Sequence, residues 1–230
     1  MTDHPGVDAR APEPPARRRP ELWQIVVLVV ALCFLSGVIG WWINQPADES
    51  FNAVDVGFLS DMETHHNGAI ALSFDYLGRE HDFLVGHFAR DIIVGQSQEM
   101  AAMNNYLNRA GNPASAADDV AMEWMGHPVR PTDMPGMPTE AESEQLLAAR
   151  GLAADDVFTH LMIRHHAAGS AMAGYAAERG EHAGVRAFAA AMAKAQRTEI
   201  NEINNRRVAL GLPAVSRQEI RQLEQLHAPG

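Results

Sequence analysis

Apolar residues recur at three- and four-residue spacing along four long stretches of the chain, which is the period of an amphipathic α-helix. Each stretch ends at a glycine or at a glycine followed shortly by proline: Gly78, Gly111-Asn112-Pro113, Gly180 and Gly211-Leu212-Pro213. Strand-like alternation of apolar and polar residues is absent from the sequence. The pattern therefore predicts an all-α protein whose four main helices form two hairpins.

The second predicted hairpin repeats the first at an offset of 100 residues. Corresponding positions carry identical residues, among them Asp55 and Asp155, Phe58 and Phe158, and Phe88 and Phe188. Two hairpins with apolar stripes must bury those stripes against each other. We therefore predict a duplicated four-helix bundle over 52–212, with approximate two-fold symmetry, followed by a short helix within 213–230.

A strongly apolar run precedes the predicted bundle. Leu22 to Ile43 contains no charged residue and, as a helix, would be roughly 33 Å long, enough to cross a bilayer. Arginines precede it and acidic residues follow it, so the positive-inside rule places the N-terminus in the cytoplasm. We predict a disordered cytoplasmic tail over 1–21, one transmembrane helix over 22–43 and a linker over 44–51. A cleaved signal peptide is the alternative.

This arrangement predicts a single-pass protein of the cell membrane with an extracytoplasmic C-terminal domain. Its formal net charge of -11 argues against nucleic-acid binding, because phosphates attract basic surfaces. Cys33 is the only cysteine, so an internal disulfide and a cysteine-based zinc or iron–sulfur site are excluded. The soft metal-binding side chains that remain are eleven methionines and eleven histidines.

Adjacent histidines occur once in each half of the duplication. Each pair closes a Met-x-x-His-His motif, formed by Met62, His65 and His66 in the first half and by Met162, His165 and His166 in the second. On a helix the methionine and the second histidine share one face, and the two histidines diverge by about 100°. The next helix of each half carries a Gln-x-x-Glu motif, formed by Gln96 and Glu99 and by Gln196 and Glu199.

Two interpretations of these motifs remain open from the residues alone. The histidines could form a buried hydrogen-bond network with the glutamates and glutamines that holds the hairpins in register. Alternatively, the four histidines bind a transition metal, the two methionines add thioether ligands, and the Gln-x-x-Glu motifs orient the imidazoles. Imidazole suits copper, zinc and iron, whereas thioethers select copper(I). Copper is therefore the predicted ion, with zinc or iron as alternatives.

The segment between the halves, residues 112–138, is rich in proline, glycine and methionine. Its spacing suits either the wrapping of a soft ion or an adaptable hydrophobic cover, since methionine fills irregular gaps. The candidate auxiliary ligands are Met122, Met125, His127, Met134 and Met137.

Catalytic arrangements have little support. A di-iron carboxylate site in a helical bundle needs Glu-x-x-His on two helices. Glu63 and His66 supply one such motif, but Ile163 stands where the second glutamate would be. The sequence has no Gly-x-Ser-x-Gly motif and no cysteine outside the apolar run. We therefore favour a non-enzymatic role, and a metal-dependent oxidase is the third hypothesis.

The doubled motif resembles the pattern of a bacterial family, domain of unknown function 305. The matching residues are Met62, His65, His66, Gln96 and Glu99, and Met162, His165, His166, Gln196 and Glu199. The resemblance implies a ferritin-like four-helix bundle that is exported or membrane-attached, and some members of the family are linked to copper binding. Glu63 departs from the pattern, because the family usually has an apolar residue there.

The residues and the resemblance together predict a membrane-anchored, extracytoplasmic metal-binding protein that serves copper storage, tolerance or delivery. The alternative is a non-catalytic accessory or structural subunit of a membrane complex, with the histidines as a core network. The sequence does not identify a protein partner for that complex.

Overall fold

A computed structural model describes residues 50–112 and 120–225 of the chain. Within these ranges the protein consists of helices and their connections, without a strand; one isolated bridge joins Ala121 to Val129. The all-α prediction is confirmed for these residues. The predicted tail, the transmembrane helix and almost all of the linker lie outside them. None of the helices within them is long and apolar enough to cross a membrane.

Four long helices and two short ones make up the described chain. They are α1 (Ala53–Leu77), α2 (Phe83–Arg109), α3 (Glu140–Ala148), α4 (Leu152–Arg179), α5 (Ala183–Ala209) and α6 (Arg217–Gln225). Short 3-10 turns occupy Glu123–Met125 and Pro131–Asp133. Helix α1 packs against α2, and α4 packs against α5; α1 also contacts α4, and α2 contacts α5. The short helix α3 lies against α1 and α4, and α6 lies against α4.

The helix ends follow local sequence signals. Asn52 and Asp55 form a capping box at the start of α1, and Thr139 and Glu142 form another at the start of α3. Helices α2 and α5 are each followed by a glycine with positive φ, Gly111 at 71° and Gly211 at 78°. Because glycine adopts this conformation without steric cost, both halves of the duplication stop their second helix in the same way.

The buried apolar side chains divide into two clusters. The first half-core contains Phe58, Met62, Met103, Met172 and Met192. The second half-core contains the residues at the corresponding positions of the other half: Phe158, Met162, Ile203, Leu72 and Ile92. The duplication therefore gives each half-core side chains from both hairpins.

Two buried aspartates join the hairpins reciprocally. Asp155, at the start of α4, accepts hydrogen bonds from the Tyr76 hydroxyl at 2.5 Å and from the backbone N–H of Asp82 at 3.0 Å. Asp55, at the corresponding position of α1, accepts from the backbone N–H groups of Glu181 at 2.9 Å and His182 at 3.0 Å. Each half thus binds the turn that precedes the second helix of the other half, and α1 and α4 run antiparallel.

The ion pair between Asp82 and Arg206 makes the free energy of unfolding depend on pH in the acidic range. Arg206 donates to both carboxylate oxygens of Asp82, at 3.0 and 2.5 Å, and this lowers the pKa of Asp82. A lowered folded-state pKa stabilises the protein above the unfolded value of about 3.9, and the contribution is lost as the pH falls through the folded value. We expect Asp82→Asn, which retains a capping side chain, to lower the free energy of unfolding by about 1–2 kcal/mol at pH 7.

Urea unfolding from pH 7 down to pH 2 measures this effect. The difference between Asp82→Asn and the native protein should shrink as the pH falls below about 4. Asp133→Asn is the matched control, because its pair with Arg130 is exposed and should not change stability measurably. A difference for Asp82→Asn that is independent of pH would show that the charge of this pair does not stabilise the fold.

Candidate metal centre

The structure brings the two histidine pairs together where α1 packs against α4. The rings of His65 and His165 stack with their centroids 3.8 Å apart, and the rings of His165 and His166 lie 5.7 Å apart. All four side chains are at most 1% exposed. The duplicated motifs therefore contribute to a single buried cluster of imidazoles.

Backbone carbonyls determine which nitrogen carries the proton in the two stacked rings. Nε2 of His165 lies 3.0 Å from the carbonyl oxygen of His65, and Nε2 of His65 lies 3.0 Å from the carbonyl oxygen of Pro135. Because a carbonyl only accepts, each Nε2 must donate, and the neutral ring has its lone pair on Nδ1. In the described residues Nδ1 of His165 is buried without a hydrogen-bond partner. His165 therefore presents an unused lone pair to the core.

Burial also keeps His165 neutral. Removal from water lowers the pKa of His165 well below 6.5, and the neighbouring imidazoles of His65 and His166 lower it further. The ring is therefore uncharged at neutral pH. This is the form that binds a metal ion without first releasing a proton.

The second histidine of each motif contacts the glutamate of the partner helix. Nε2 of His66 lies 2.7 Å from a carboxylate oxygen of Glu99, and Nε2 of His166 lies 2.6 Å from one of Glu199. The first contact is a hydrogen bond, whereas the second is close without hydrogen-bond alignment. The imidazole of His166 lowers the pKa of Glu199. Each glutamate therefore lies in contact with the second histidine of its own half.

The two halves differ at Nδ1 of the second histidine of the motif, which is His66 in the first half and His166 in the second. Nδ1 of His166 donates to the carbonyl oxygen of Met162 at 2.8 Å, one turn back on α4. Nδ1 of His66 has no hydrogen-bond partner in the described residues. The ring of His66 therefore has Nδ1 available to a ligand, whereas Nδ1 of His166 is engaged in a hydrogen bond.

Histidine and carboxylate side chains do not complete a metal site by themselves. Across residues 50–112 and 120–225, no group of three or more histidine, cysteine, aspartate or glutamate side chains is arranged to hold a metal ion. A metal ion bound to His165 would therefore need at least one ligand of a type other than these four. The methionine thioether is the soft donor that this core contains in quantity.

The candidate methionines are not all in one place. Met62 lies in the first half-core and Met162 in the second, and both are fully buried. Of the auxiliary candidates, Met122, Met125 and Met134 are buried in the first half-core with Met62, and Met137 packs against it. His127 is exposed at the surface. The loop therefore adds thioethers to the half-core of Met62.

Residues 134–137 cover the stacked histidines. The carbonyl oxygen of Pro135 accepts from His65, and Gly136 lies against α4, where an added Cβ would be 2.9 Å from Cα of His165. The sulfur of Met137 lies 2.8 Å from the position of a Cβ on Gly68, one turn after His65 on α1. Glycine at both contact points lets this segment approach the two helices closely.

Gly136→Ala tests the close contact between this segment and α4. Gly136 has φ +83°, so alanine adds backbone strain and also a clash with Ala168 and His165. We expect it to lower the free energy of unfolding by about 1–3 kcal/mol more than Gly126→Ala does. Gly126 has a similar φ of +78° and no atom within 4 Å of an added Cβ. Equal urea midpoints for the two variants would mean that the contact with α4 is unimportant.

The two glutamines lie where α2 faces α5. Gln96 and Gln196 are buried, and their side-chain oxygens have no hydrogen-bond partner in the described residues. Gln196 lies directly on Gly169 of α4, where an added Cβ would collide with its amide oxygen. A cavity of about 40 Å³ separates the two helices here and is lined by both glutamines and both glutamates. It is large enough to hold an ordered water.

Sequence reasoning did not identify two features of this centre. The Pro135 carbonyl belongs to the backbone, so its residue type carries no signal. The repeated motifs do not include Met103, Met172 and Met192, although all three lie in the same half-core as Met62. A comparison of the two halves position by position could have found them, because the other half carries isoleucine and leucine there.

Solved structures similar to this one share its helical fold. A Streptomyces coelicolor DUF305 protein, provisionally described as secreted, has 30% identity and a TM-score of 0.63, covering 71% of this chain and 97% of that one. A DUF305 fragment from Deinococcus radiodurans has 28% identity and a TM-score of 0.58, with coverages of 67% and 95%. CopM in its copper(I)-bound form has 21% identity and a TM-score of 0.50, with coverages of 68% and 96%.

A comparison with curated proteins finds no match. The family comparison does: residues 55–207, which include both Met-x-x-His-His motifs and both Gln-x-x-Glu motifs, match the domain of unknown function DUF305. The resemblance inferred from the doubled motif is confirmed. This chain belongs to the DUF305 family.

Proposed function

We propose that this protein binds copper(I) in an extracytoplasmic, membrane-anchored domain and serves copper storage, tolerance or delivery. The observation that carries the proposal is the unused Nδ1 lone pair of His165, buried where α1 packs against α4, and both of these helices contribute methionines to the first half-core. A neutral imidazole together with thioethers is a donor set that suits copper(I). In this proposal His165 and His65 bind the ion, with His66 and His166 beside them. Met62 supplies a thioether, and Met162 and the loop methionines are further candidates.

Two similar proteins support this assignment. CopM, whose fold resembles that of this chain, binds copper(I). The Streptomyces coelicolor relative is described as secreted, which agrees with an extracytoplasmic domain. We further propose that α1, α2, α4 and α5 constitute the ferritin-like four-helix bundle and that residues 22–43 anchor it to the membrane.

The enclosure of the centre favours binding over catalysis. The rings of His65 and His165 are fully enclosed, and the hydrogen bonds of Pro135 and His65 hold them in fixed orientations. A substrate would have no open coordination site of the kind that catalytic metals keep. Zinc and iron remain alternatives for the ion, and the thioethers favour copper(I) over both.

A second candidate function is a non-catalytic subunit of a membrane complex. All four histidines already have polar contacts in the fold, so they could serve as a core network. The last turn of α1 exposes Phe74 by 61%, and the first turn of α2 exposes Phe83 and Leu84 by 71% and 46%. Exposed apolar side chains of this size are candidates for a protein contact.

Metal competition separates the two functions. The full-length protein, purified without an affinity tag, is exposed to copper(I), zinc(II) and iron(II) together, and its metal content is then determined. We expect copper to be retained by the native protein and by a control in which the exposed His87 and His127 and the half-exposed His160 are alanine. A variant with alanine at His65, His66, His165 and His166 should lose it. Metal-free native protein, with the four-histidine variant merely less stable, would favour the core network instead.

A further inference from the structure

The methionines of the core are distributed unequally between the two half-cores, although these are built from corresponding positions. Three buried positions on α2, α4 and α5 carry methionine in the first half-core: Met103, Met172 and Met192. The positions 100 residues away carry branched aliphatic residues in the second half-core: Ile203, Leu72 and Ile92. Met62 and Met162, by contrast, are the same in both halves.

These methionines belong to one cluster of buried side chains, and the helix register pairs them across neighbouring helices. Hydrogen bonds from His66 to Glu99 and from Asn104 to Glu63 align α1 with α2, so that Met62 lies across from Met103. The contact between His166 and Glu199 aligns α4 with α5 in the same way and sets Met172 across from Met192. All four are at most 1% exposed. Met62 lies one turn from His65, and Met172 lies about two turns from His165.

Packing alone does not explain this distribution. Methionine often fills irregular gaps in a core. The second half-core, however, is built from the corresponding positions of the same helices, and it is filled by isoleucine and leucine. Residues outside the four long helices show the same difference in residue type. Met122, Met125 and Met134 pack into the first half-core, whereas Leu146 and Val215 pack into the second. The two half-cores therefore differ in whether they contain thioethers at these positions rather than in the volume of the side chains.

We propose that Met103, Met172 and Met192 form a second copper(I) site, made of thioethers only. It is separate from the first proposed site at His65 and His165, the imidazole centre. This inference rests on the proposed copper-binding function and extends it to a capacity of two ions. Three thioethers are neutral, soft donors that favour copper(I) and discriminate against zinc and other harder ions. Met62 shares the first half-core with these three methionines and lies one turn before His65 on α1.

The chain itself supplies the substitutions that test this site. Met103→Ile, Met172→Leu and Met192→Ile introduce the residues that the second half-core already carries at the same positions, so the triple variant should fold. The matched control exchanges Leu72→Ile, Ile92→Leu and Ile203→Leu, which changes the same three positions of the other half without removing a thioether. Circular dichroism verifies that both variants retain the native helix content.

Each full-length protein is titrated anaerobically with copper(I) in competition with bicinchoninate, and copper X-ray absorption counts the sulfur ligands. We expect the methionine triple variant to bind one copper(I) fewer per chain than the native protein and to show fewer sulfur neighbours. The control should match the native protein. Unchanged copper content and sulfur count in the methionine variant would overturn the second site.

A His165→Gln variant distinguishes this failure from failure of the proposed function. If the second site exists, this variant should retain a copper(I) ion with sulfur neighbours only. If the methionine variant equals the native protein while His165→Gln loses all copper, the second site is wrong and the imidazole centre stands. If the native protein binds no copper(I), both proposals are wrong.

Discussion

Replacing His165 with glutamine is expected to lower the copper(I) affinity of the imidazole centre by more than about 100-fold, because changes to groups that merely support a ligand already cost 10–100-fold. Nε2 of His165 donates to the carbonyl oxygen of His65, and the amide of glutamine can keep that hydrogen bond. Glutamine has no counterpart to the lone pair on Nδ1. The substitution therefore removes the proposed ligand atom and retains the structural contact.

Competition with bicinchoninate at pH 7 measures the affinity, and urea unfolding of the metal-free protein measures stability. His160→Ala is the matched control on the same helix, since His160 is half-exposed and pairs with Glu219 at 3.2 Å. Its affinity should equal that of the native protein. A His165→Gln protein that is less stable but binds copper(I) normally would assign His165 to the core network. Because burial lowers the pKa of His165 well below its usual value, protonation of this residue should not weaken copper(I) binding at pH 7.

Replacing Asp155 with alanine is expected to lower the free energy of unfolding by about 2–5 kcal/mol. The carboxylate is 3% exposed and accepts from the Tyr76 hydroxyl and from the backbone N–H of Asp82. Alanine leaves the buried hydroxyl and the partly buried N–H without an acceptor, and a buried donor left in this way costs about 1–3 kcal/mol. Burial, and after it the hydrogen bond to Asp155, raise the pKa of Tyr76 above its usual range.

Asp55→Ala should have an effect of similar size, because Asp55 accepts from backbone N–H groups at the other end of the same helix pair. Asp91→Ala, an exposed change on α2, is the control and should leave stability within about 0.5 kcal/mol. Tyr76→Phe, which removes one donor and keeps the carboxylate, should cost less than Asp155→Ala. Near-native urea midpoints for both aspartate variants would contradict the reciprocal connection of the hairpins.

The helices could be predicted from the sequence because their signals are local. Apolar spacing fixes the four stripes, and Gly111 and Gly211 end α2 and α5 at corresponding positions. Asp55 and Asp155 were recognised as corresponding residues, but their roles were not predicted. Their partners lie 126 and 73 residues away in the chain, in turns whose backbone N–H groups carry no residue-specific signal.

For the candidate metal centre, the sequence predicted the residue types but not their arrangement in space. The doubled motif identified the histidines and their glutamates, which do contact each other. It did not predict that His65 and His165 stack, since that depends on how α1 and α4 pack. It also grouped Met62 with Met162 and included His127, whereas the packing puts the two methionines in different half-cores and leaves His127 exposed.

Anomalous diffraction at the copper edge from crystals of the copper(I)-loaded protein tests the central claim most directly, because it locates the ion without assuming its ligands. We predict a peak about 2 Å from Nδ1 of His165, the usual distance between an imidazole nitrogen and a first-row metal. The hydrogen bond of Nε2 to the carbonyl oxygen of His65 should be retained. Copper bound elsewhere, with Nδ1 of His165 still without a ligand, would contradict the account.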